Sequence, residues 1–369
     1  MLNILFWVFV TSASVQFIFF TIVTIVISAY KKPDQNSYTI PGISVILCAK
    51  NEFENLQSLI PLLLKQQYGH FEIILVDDNS SDETYDYAIE LDHKDKNFKL
   101  VRIDETPDHI NNKKYALTLG IRAAKYEHVL LTDADCFPNS EFWIQQMSDG
   151  FTSDDVKFVI GYSQYFPKAG ILNALITYET MLTAVHYVGI GLMGNPYMGV
   201  GRNIAYRKSF FLENKGFGKF QSVVGGDDDL LVNHFAKKSN TAFVLSQESA
   251  IYSIPKSTLK EFTLQKTRHL SVGKHYRKAD KLLLGMLSFS KIIFWFAFVA
   301  AIMSVFQTYF VLAGFFLVMV SLLTSFLSLK KKTGDNSKIW MLPILDFIYI
   351  FYYISTGLRV LFTKKVRWK

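Results

Sequence analysis

Hydrophobic residues are distributed along this chain in two ways. At both ends they run without interruption, and in the middle they come in short bursts separated by polar turns. Ile4 to Tyr30 is nearly uncharged and closes on Lys31-Lys32. That length crosses a bilayer. It is too long for the apolar core of a secretory signal, and Tyr30-Lys31-Lys32 is not a small-residue cleavage site. An uncleaved anchor is predicted, with the following domain on the cytoplasmic side. Met286 to Leu329 is too long for one span and predicts two, broken near Gln307, with Lys330-Lys331-Lys332 back on the cytoplasmic side. Ile339 to Phe362 reads as a further span or, because it contains Asp346 and Arg359, as a re-entrant or surface helix. A span would place Lys364-Lys365-Val366-Arg367-Trp368-Lys369 outside, against the positive-inside tendency.

Between the apolar ends the period changes. Ile43 to Cys48, Phe71 to Val76, Phe98 to Ile103 and His128 to Thr132 are short, β-branched apolar runs that predict buried strands. Helical spacing separates them: Leu56 to Gln67, a helix opened by a Ser80/Glu83 capping box and running to Glu90, and Lys113 to Ala124. This alternation predicts a parallel, doubly wound α/β sheet. Later strands are predicted at Val156 to Gln164, Asn203 to Arg207 and Thr241 to Ser246, with helices at Ile171 to Val188 and Leu230 to Lys237. Ser257 to Tyr276 is basic and amphipathic and suits a membrane surface. The predicted organisation is an anchor over 1–32, an α/β domain over 33–256, an interface segment over 257–285 and a membrane region over 286–369.

Composition narrows the class. Half of the residues are hydrophobic and the net charge is +7, with Lys and Arg gathered beside the apolar segments. That favours membrane lipids as partners over nucleic acid, whose usual binding folds leave no signature here. No G-x-G-x-x-G follows the first strand and no P-loop motif occurs, which excludes a Rossmann dehydrogenase and a P-loop NTPase. Gly199-Val200-Gly201-Arg202 lies too late for either role. The two cysteines, Cys48 and Cys136, end predicted strands and need no disulfide.

The chemistry centres on Thr132-Asp133-Ala134-Asp135-Cys136. Two carboxylates at i and i+2 on an extended chain point the same way, at the strand edge where open α/β sheets bind ligands. Together with substrate phosphates they suit a hard divalent cation. The alternative is a helix cap, from Asp135 or Asn139. His186, His234 and His275 show no metal-ligand spacing.

Taken in order, Val45 to Glu52, Val76-Asp77-Asp78-Asn79-Ser80, Lys113-Lys114-Tyr115-Ala116-Leu117, Asp133-Ala134-Asp135, Gly226-Asp227-Asp228-Asp229-Leu230 and Gln265-Lys266-Thr267-Arg268-His269 resemble the motifs of the family 2 glycosyltransferases of GT-A fold. The resemblance covers about Ile43 to Tyr276. It implies a nucleotide-sugar donor, with UDP as the expected nucleotide, and a lipid-linked or membrane-proximal glycan acceptor. It implies that Lys50, Asn51, Glu52 and Asp78 hold the nucleoside. Lys113, with Lys114 as runner-up, approaches the base or diphosphate. Asp133 faces the ribose or sugar, and Asp135 with Asp133 holds Mg2+ or Mn2+. Inverting transfer requires a base on the acceptor hydroxyl, and Asp227, Asp228 and Asp229 compete for that role. The base is Asp228 if Asp227 is the first acid of the family's pair, and Asp227 if Gly226 takes that place; the former is preferred. Gln265 and Arg268 match Q-x-x-R-W, but His269 replaces the Trp on which processive synthases stack the acceptor. Arg202 is placed on the acceptor side. A processive polysaccharide synthase and a non-catalytic GT-A scaffold are the alternative readings.

Overall fold

The computed structural model describes residues 2–33 and 41–362; the basic end at 364–369 lies outside them. In chain order the elements are α1 (Leu2–Ala29), β1 (Ile43–Ala49), α2 (Phe53–Leu64), β2 (Phe71–Asp78), α3 (Thr84–Lys94), β3 (Phe98–Ile103), α4 (Asn112–Ala123), β4 (His128–Leu131), β5 (Cys136–Pro138) and α5 (Trp143–Ser148). They continue through β6 (Phe158–Ile160), β7 (Ser163–Tyr165), α6 (Ile171–Leu192), β8 (Ile204–Arg207), α7 (Lys208–Glu213), α8 (Asp229–Phe235), β9 (Thr241–Phe243), β10 (Ile251–Ser253), α9 (Leu259–Val272), α10 (Lys278–Met303), α11 (Thr308–Thr333) and α12 (Leu342–Phe362).

Seven strands form a mixed sheet in the order β3-β2-β1-β4-β8-β6-β9. The first four are parallel, as the βα alternation requires, with Ile46 opposite Ile74 on one side and Leu131 on the other. β8 enters antiparallel to both β4 and β6. The single strand expected over Val156 to Gln164 is two. β6 joins the large sheet, and β7 joins β5 and β10 in a three-stranded sheet. Between them Gly161 donates its N–H to the Asn203 carbonyl at 2.9 Å.

The Ser80/Glu83 capping box does not form. Asn79 takes φ +53°, which turns Ser80 back toward β1, where its hydroxyl accepts from the Asn51 N–H at 2.9 Å. Asp82 caps Thr84 instead, at 3.0 Å. A capping box does open α9, between Thr258 and Glu261.

Among the described residues four helices are long and apolar enough to cross a membrane: α1, α10, α11 and α12. The expected break at Gln307 is present, with φ +53° ending the turn between α10 and α11. α1 and α11 run side by side in the same direction, through Thr24–Thr324 and Ser28–Ser328 hydrogen bonds. Their basic ends meet the sheet domain: Lys332 donates to the Tyr30 carbonyl at 2.8 Å, and Lys32 pairs with Asp149 at 3.0 Å. α6 leaves the sheet domain and packs among α1, α11 and α12.

The last apolar segment forms one continuous helix, α12. Its C-terminal turn lines the large cleft through Leu358, Arg359 and Phe362. Just before it, Lys330 at the end of α11 donates to the Ser337 carbonyl. α12 packs on α9 by Phe262–Tyr352 stacking at 5.3 Å.

Candidate active site

The C-terminal ends of β1, β2 and β4 open on one cleft of about 1330 Å³. Behind it, toward α6, α10 and α12, lies a second chamber of about 470 Å³. The two share a wall made of Lys113, Asp133, Arg202, Gln265 and Arg268. Lys50, Glu52, Asp78 and Asp135 face the cleft and not the chamber. Asp227, Asp228 and Asp229 face only the chamber.

On the cleft side, Lys50 Nζ lies 3.7 Å from Asp78 Oδ2, and the Asn112 amide donates to the same oxygen at 3.5 Å. Glu52 accepts from the Asn55 amide at 2.6 Å, and burial raises its pKa. Asn51 differs from its expected place. It adopts φ +56°, and its side-chain oxygen accepts from the Ser81 N–H at 2.8 Å. It thus ties the β1 and β2 loops together and is absent from the cleft lining. A left-handed backbone turns the side chain away from its neighbours' face, and Asn tolerates that conformation.

Asp133 and Asp135 converge as expected, but through a turn. The Cys136 N–H donates to the Asp133 carbonyl at 3.1 Å, so the chain between them is bent. Donor atoms of Asp133, Asp135 and Cys136 lie within 4.8 Å of one another. The oxygen pair fits a hard cation such as Mg2+ or Mn2+. The Cys136 thiol donates to Asp135 Oδ1 at 3.3 Å. Burial, then the Asp135 and Asp133 charges, push its pKa well above the usual thiol value, and sulfur is a soft donor poorly matched to a hard cation.

The wall is an ion cluster. Lys113 Nζ lies 2.8 Å from Asp133 and 3.3 Å from Asp227. Burial opposes its charge, but the two carboxylates hold its pKa well above the ordinary lysine range. Burial likewise opposes ionisation of Asp133, and Lys113 overrides it, so that carboxyl stays below its usual value. Lys114, next in sequence, does different work. Its ammonium is buried and donates to the Val223 and Gly225 carbonyls at 2.5 and 2.6 Å. It pins the loop that delivers the three aspartates, where Gly225 and Gly226 take φ +79° and +71°.

Asp228 accepts from the Gly201 and Asp229 N–H groups at 2.5 and 2.8 Å. A β-carbon at Gly201 would lie 2.9 Å from Asp228 Oδ2, so this approach requires glycine. Burial first, then the Asp227 charge, raise the Asp228 pKa to about 6. Asp229 is pushed up further by burial and by Asp228, and its Oδ1 is buried without a hydrogen-bond partner.

Arg202 Nε donates to Ser163 Oγ at 2.5 Å and its plane covers the Tyr165 ring at 4.8 Å. Gln265 reaches the same tyrosine hydroxyl at 3.5 Å. His269 faces the chamber. Burial and neighbouring cations hold its pKa well below the usual value, so the imidazole is neutral. Sequence reasoning missed Tyr165, the Glu179–Lys266 ion pair at 2.5 Å and the α12 tyrosines Tyr349, Tyr352 and Tyr353. Only the last left a signal, a helical spacing on one face.

The family described as "Glycosyl transferase family 2" matches residues 44–211, and "Glycosyl transferase family group 2" matches 128–357, more than half of the chain. A poly-beta-1,6-N-acetyl-D-glucosamine synthase of Staphylococcus epidermidis is 31% identical over 140 residues, 38% of this chain and 33% of that protein. The same enzyme of Staphylococcus aureus strain COL is 28% identical over 152 residues, 41% of this chain and 36% of that protein. The matches thus span about a third of the length of these relatives. A mannosyltransferase of Pyrobaculum calidifontis, solved with GDP-Man and Mn2+, superposes over 99% of this chain and 100% of its own with a TM-score of 0.64 at 16% identity, a likeness of fold.

Proposed function

From the premise that this chain belongs to glycosyl transferase family group 2, we propose that it is a membrane-bound, inverting, metal-dependent enzyme that moves a sugar from a nucleotide-sugar, UDP-linked in this reading, to a lipid-linked or membrane-proximal glycan. The observation that carries the proposal is the shared wall. Carboxylates suited to a donor nucleotide and cation face the cleft, and an acid suited to a base faces the chamber.

In this account Asp78 and Glu52 accept hydrogen bonds from the nucleoside, with Lys50 beside them. Asp135 and Asp133 would hold Mg2+ or Mn2+, which would supply positive charge against the departing diphosphate. Lys113 and Arg268 sit at the junction and add positive charge there. The acceptor oxygen attacks the anomeric carbon, the sugar–phosphate bond breaks, and Asp228 takes the hydroxyl proton. A pKa of about 6 suits that task. Arg202 and Gln265, ordered by Tyr165, line the acceptor's approach. The basic ends of α1 and α11 support a catalytic face on the cytoplasmic side. An acceptor held in the membrane then needs only lateral diffusion to reach the chamber.

The test is a panel of UDP- and GDP-sugars, each with Mn2+, Mg2+ or EDTA, read as thermal stabilisation of the purified chain. A ligand at 100 times its Kd adds about 2.7 kcal/mol to apparent stability. Cation-dependent stabilisation by one nucleotide class supports the proposal, and none from any donor contradicts it.

A further inference from the structure

The chamber's wall along α10 is Lys281, Leu284 and Gly285. One turn further in, Tyr353 of α12 bridges to Ser288 Oγ at 3.1 Å. At the next turn Lys291 forms an ion pair with Asp346 of α12, and Tyr178 of α6 donates to the same carboxylate. Trp295 Nε1 donates to its other oxygen at 2.6 Å. Both carboxylate oxygens are thus satisfied by protein groups, the condition for a buried charge to be held as structure. Past this layer the helices meet through packed aromatic rings: Trp295–Phe347 tilted at 5.0 Å, Trp295–Phe315 edge-on at 5.5 Å and Phe298–Phe315 stacked at 4.2 Å.

We infer that Lys291, Asp346, Tyr178 and Trp295 form the floor of a blind vestibule: the chamber admits the end of an acceptor and gives no passage for product across the membrane. This rests on reading the chamber as the acceptor side. A hydrated glycan strand needs a continuous polar path, because each unsatisfied polar group in hydrocarbon costs several kcal/mol. The path here ends on a sealed ion pair backed by aromatic side chains. The chain's transfer product is therefore released on the side where it is made, in contrast to an enzyme that threads a growing polymer.

The test uses the full chain in lipid nanodiscs, both faces open, with a water-soluble cationic methanethiosulfonate as probe. Cysteine is introduced at Gly285 in the chamber or at Phe298 beyond the floor, and background from Cys48 and Cys136 is measured on the unaltered chain. Gly285→Cys is expected to react and Phe298→Cys to react at least about tenfold more slowly, since the half-buried Phe298 position lies in the hydrocarbon beyond the floor, where a water-soluble cation is disfavoured. Ala301→Cys, a smaller change deeper in α10, replaces Phe298→Cys if that variant fails to fold. Comparable rates at the two depths would overturn the floor while leaving the acceptor reading intact. An unreactive Gly285→Cys would overturn the acceptor chamber itself.

Discussion

The Gly201 amide donates to Asp228 Oδ2 at 2.5 Å, and a β-carbon on Gly201 would lie only 2.9 Å from the same oxygen. That contact orients one carboxylate of three. Gly201→Ala is expected to lower kcat about ten- to a hundredfold while donor affinity stays unchanged, because donor groups line the other cavity. Displacing a base by a fraction of an ångström costs on the order of 1.4–2.8 kcal/mol in the barrier. Steady-state kinetics with a separate donor-binding titration checks the split.

The raised pKa of Asp228 gives two pH signatures. As a base it must be ionised, so activity is expected to fall one power of ten per unit below pH about 6. The stability effect has the opposite sense. A folded carboxyl whose pKa lies above the unfolded value of ~3.9 binds its proton more tightly in the fold. That stabilisation is present at low pH and lost as pH rises through about 6. Asp228→Asn is therefore expected to abolish transfer yet raise Tm by about 2 °C at pH 7.5, with a smaller gain at pH 5. Parallel melting curves at the two pH values check it.

Much of this was legible in the sequence because it depended on local pattern. Strand–helix alternation, the break at Gln307 and the pairing of Asp133 with Asp135 rest on neighbours in the chain. The antiparallel entry of β8 and the division of Val156–Gln164 between two sheets depend on long-range partners that no spacing records. Asn51 and Ser80 were misplaced because a left-handed backbone at Asn51 and Asn79 redirects side chains without a signature beyond the asparagine itself. Lys113 and Lys114 are adjacent and chemically alike. Only the fold separates a lysine among carboxylates from one among carbonyls.

Lys114→Met should release the loop before the aspartates. It removes a charge-assisted donor from the Val223 and Gly225 carbonyls, at a cost of about 1.5–3 kcal/mol. The expected result is lower kcat, faster proteolysis between 215 and 228, and near-normal donor binding. Lys114→Arg should recover part of the loss. Limited proteolysis of the three proteins checks it.

Cys136 sits within 4.8 Å of the two carboxylates proposed to hold the cation, but its sulfur is a soft donor poorly matched to Mn2+ or Mg2+. Cys136→Ser is therefore expected to leave Mn2+-dependent donor binding within about threefold, a difference below 1 kcal/mol. Titration of Mn2+ against bound nucleotide checks it.

The most direct measurement separates the two faces of the shared wall. Donor binding and sugar transfer are measured on Asp135→Ala and Asp228→Asn, in the full chain, with the nucleotide-sugar and cation identified by the stabilisation panel. Asp135→Ala should lose cation-dependent donor binding, and Asp228→Asn should bind donor normally and fail to transfer. Donor binding lost in Asp228→Asn and retained in Asp135→Ala, or transfer retained by both, would contradict the account.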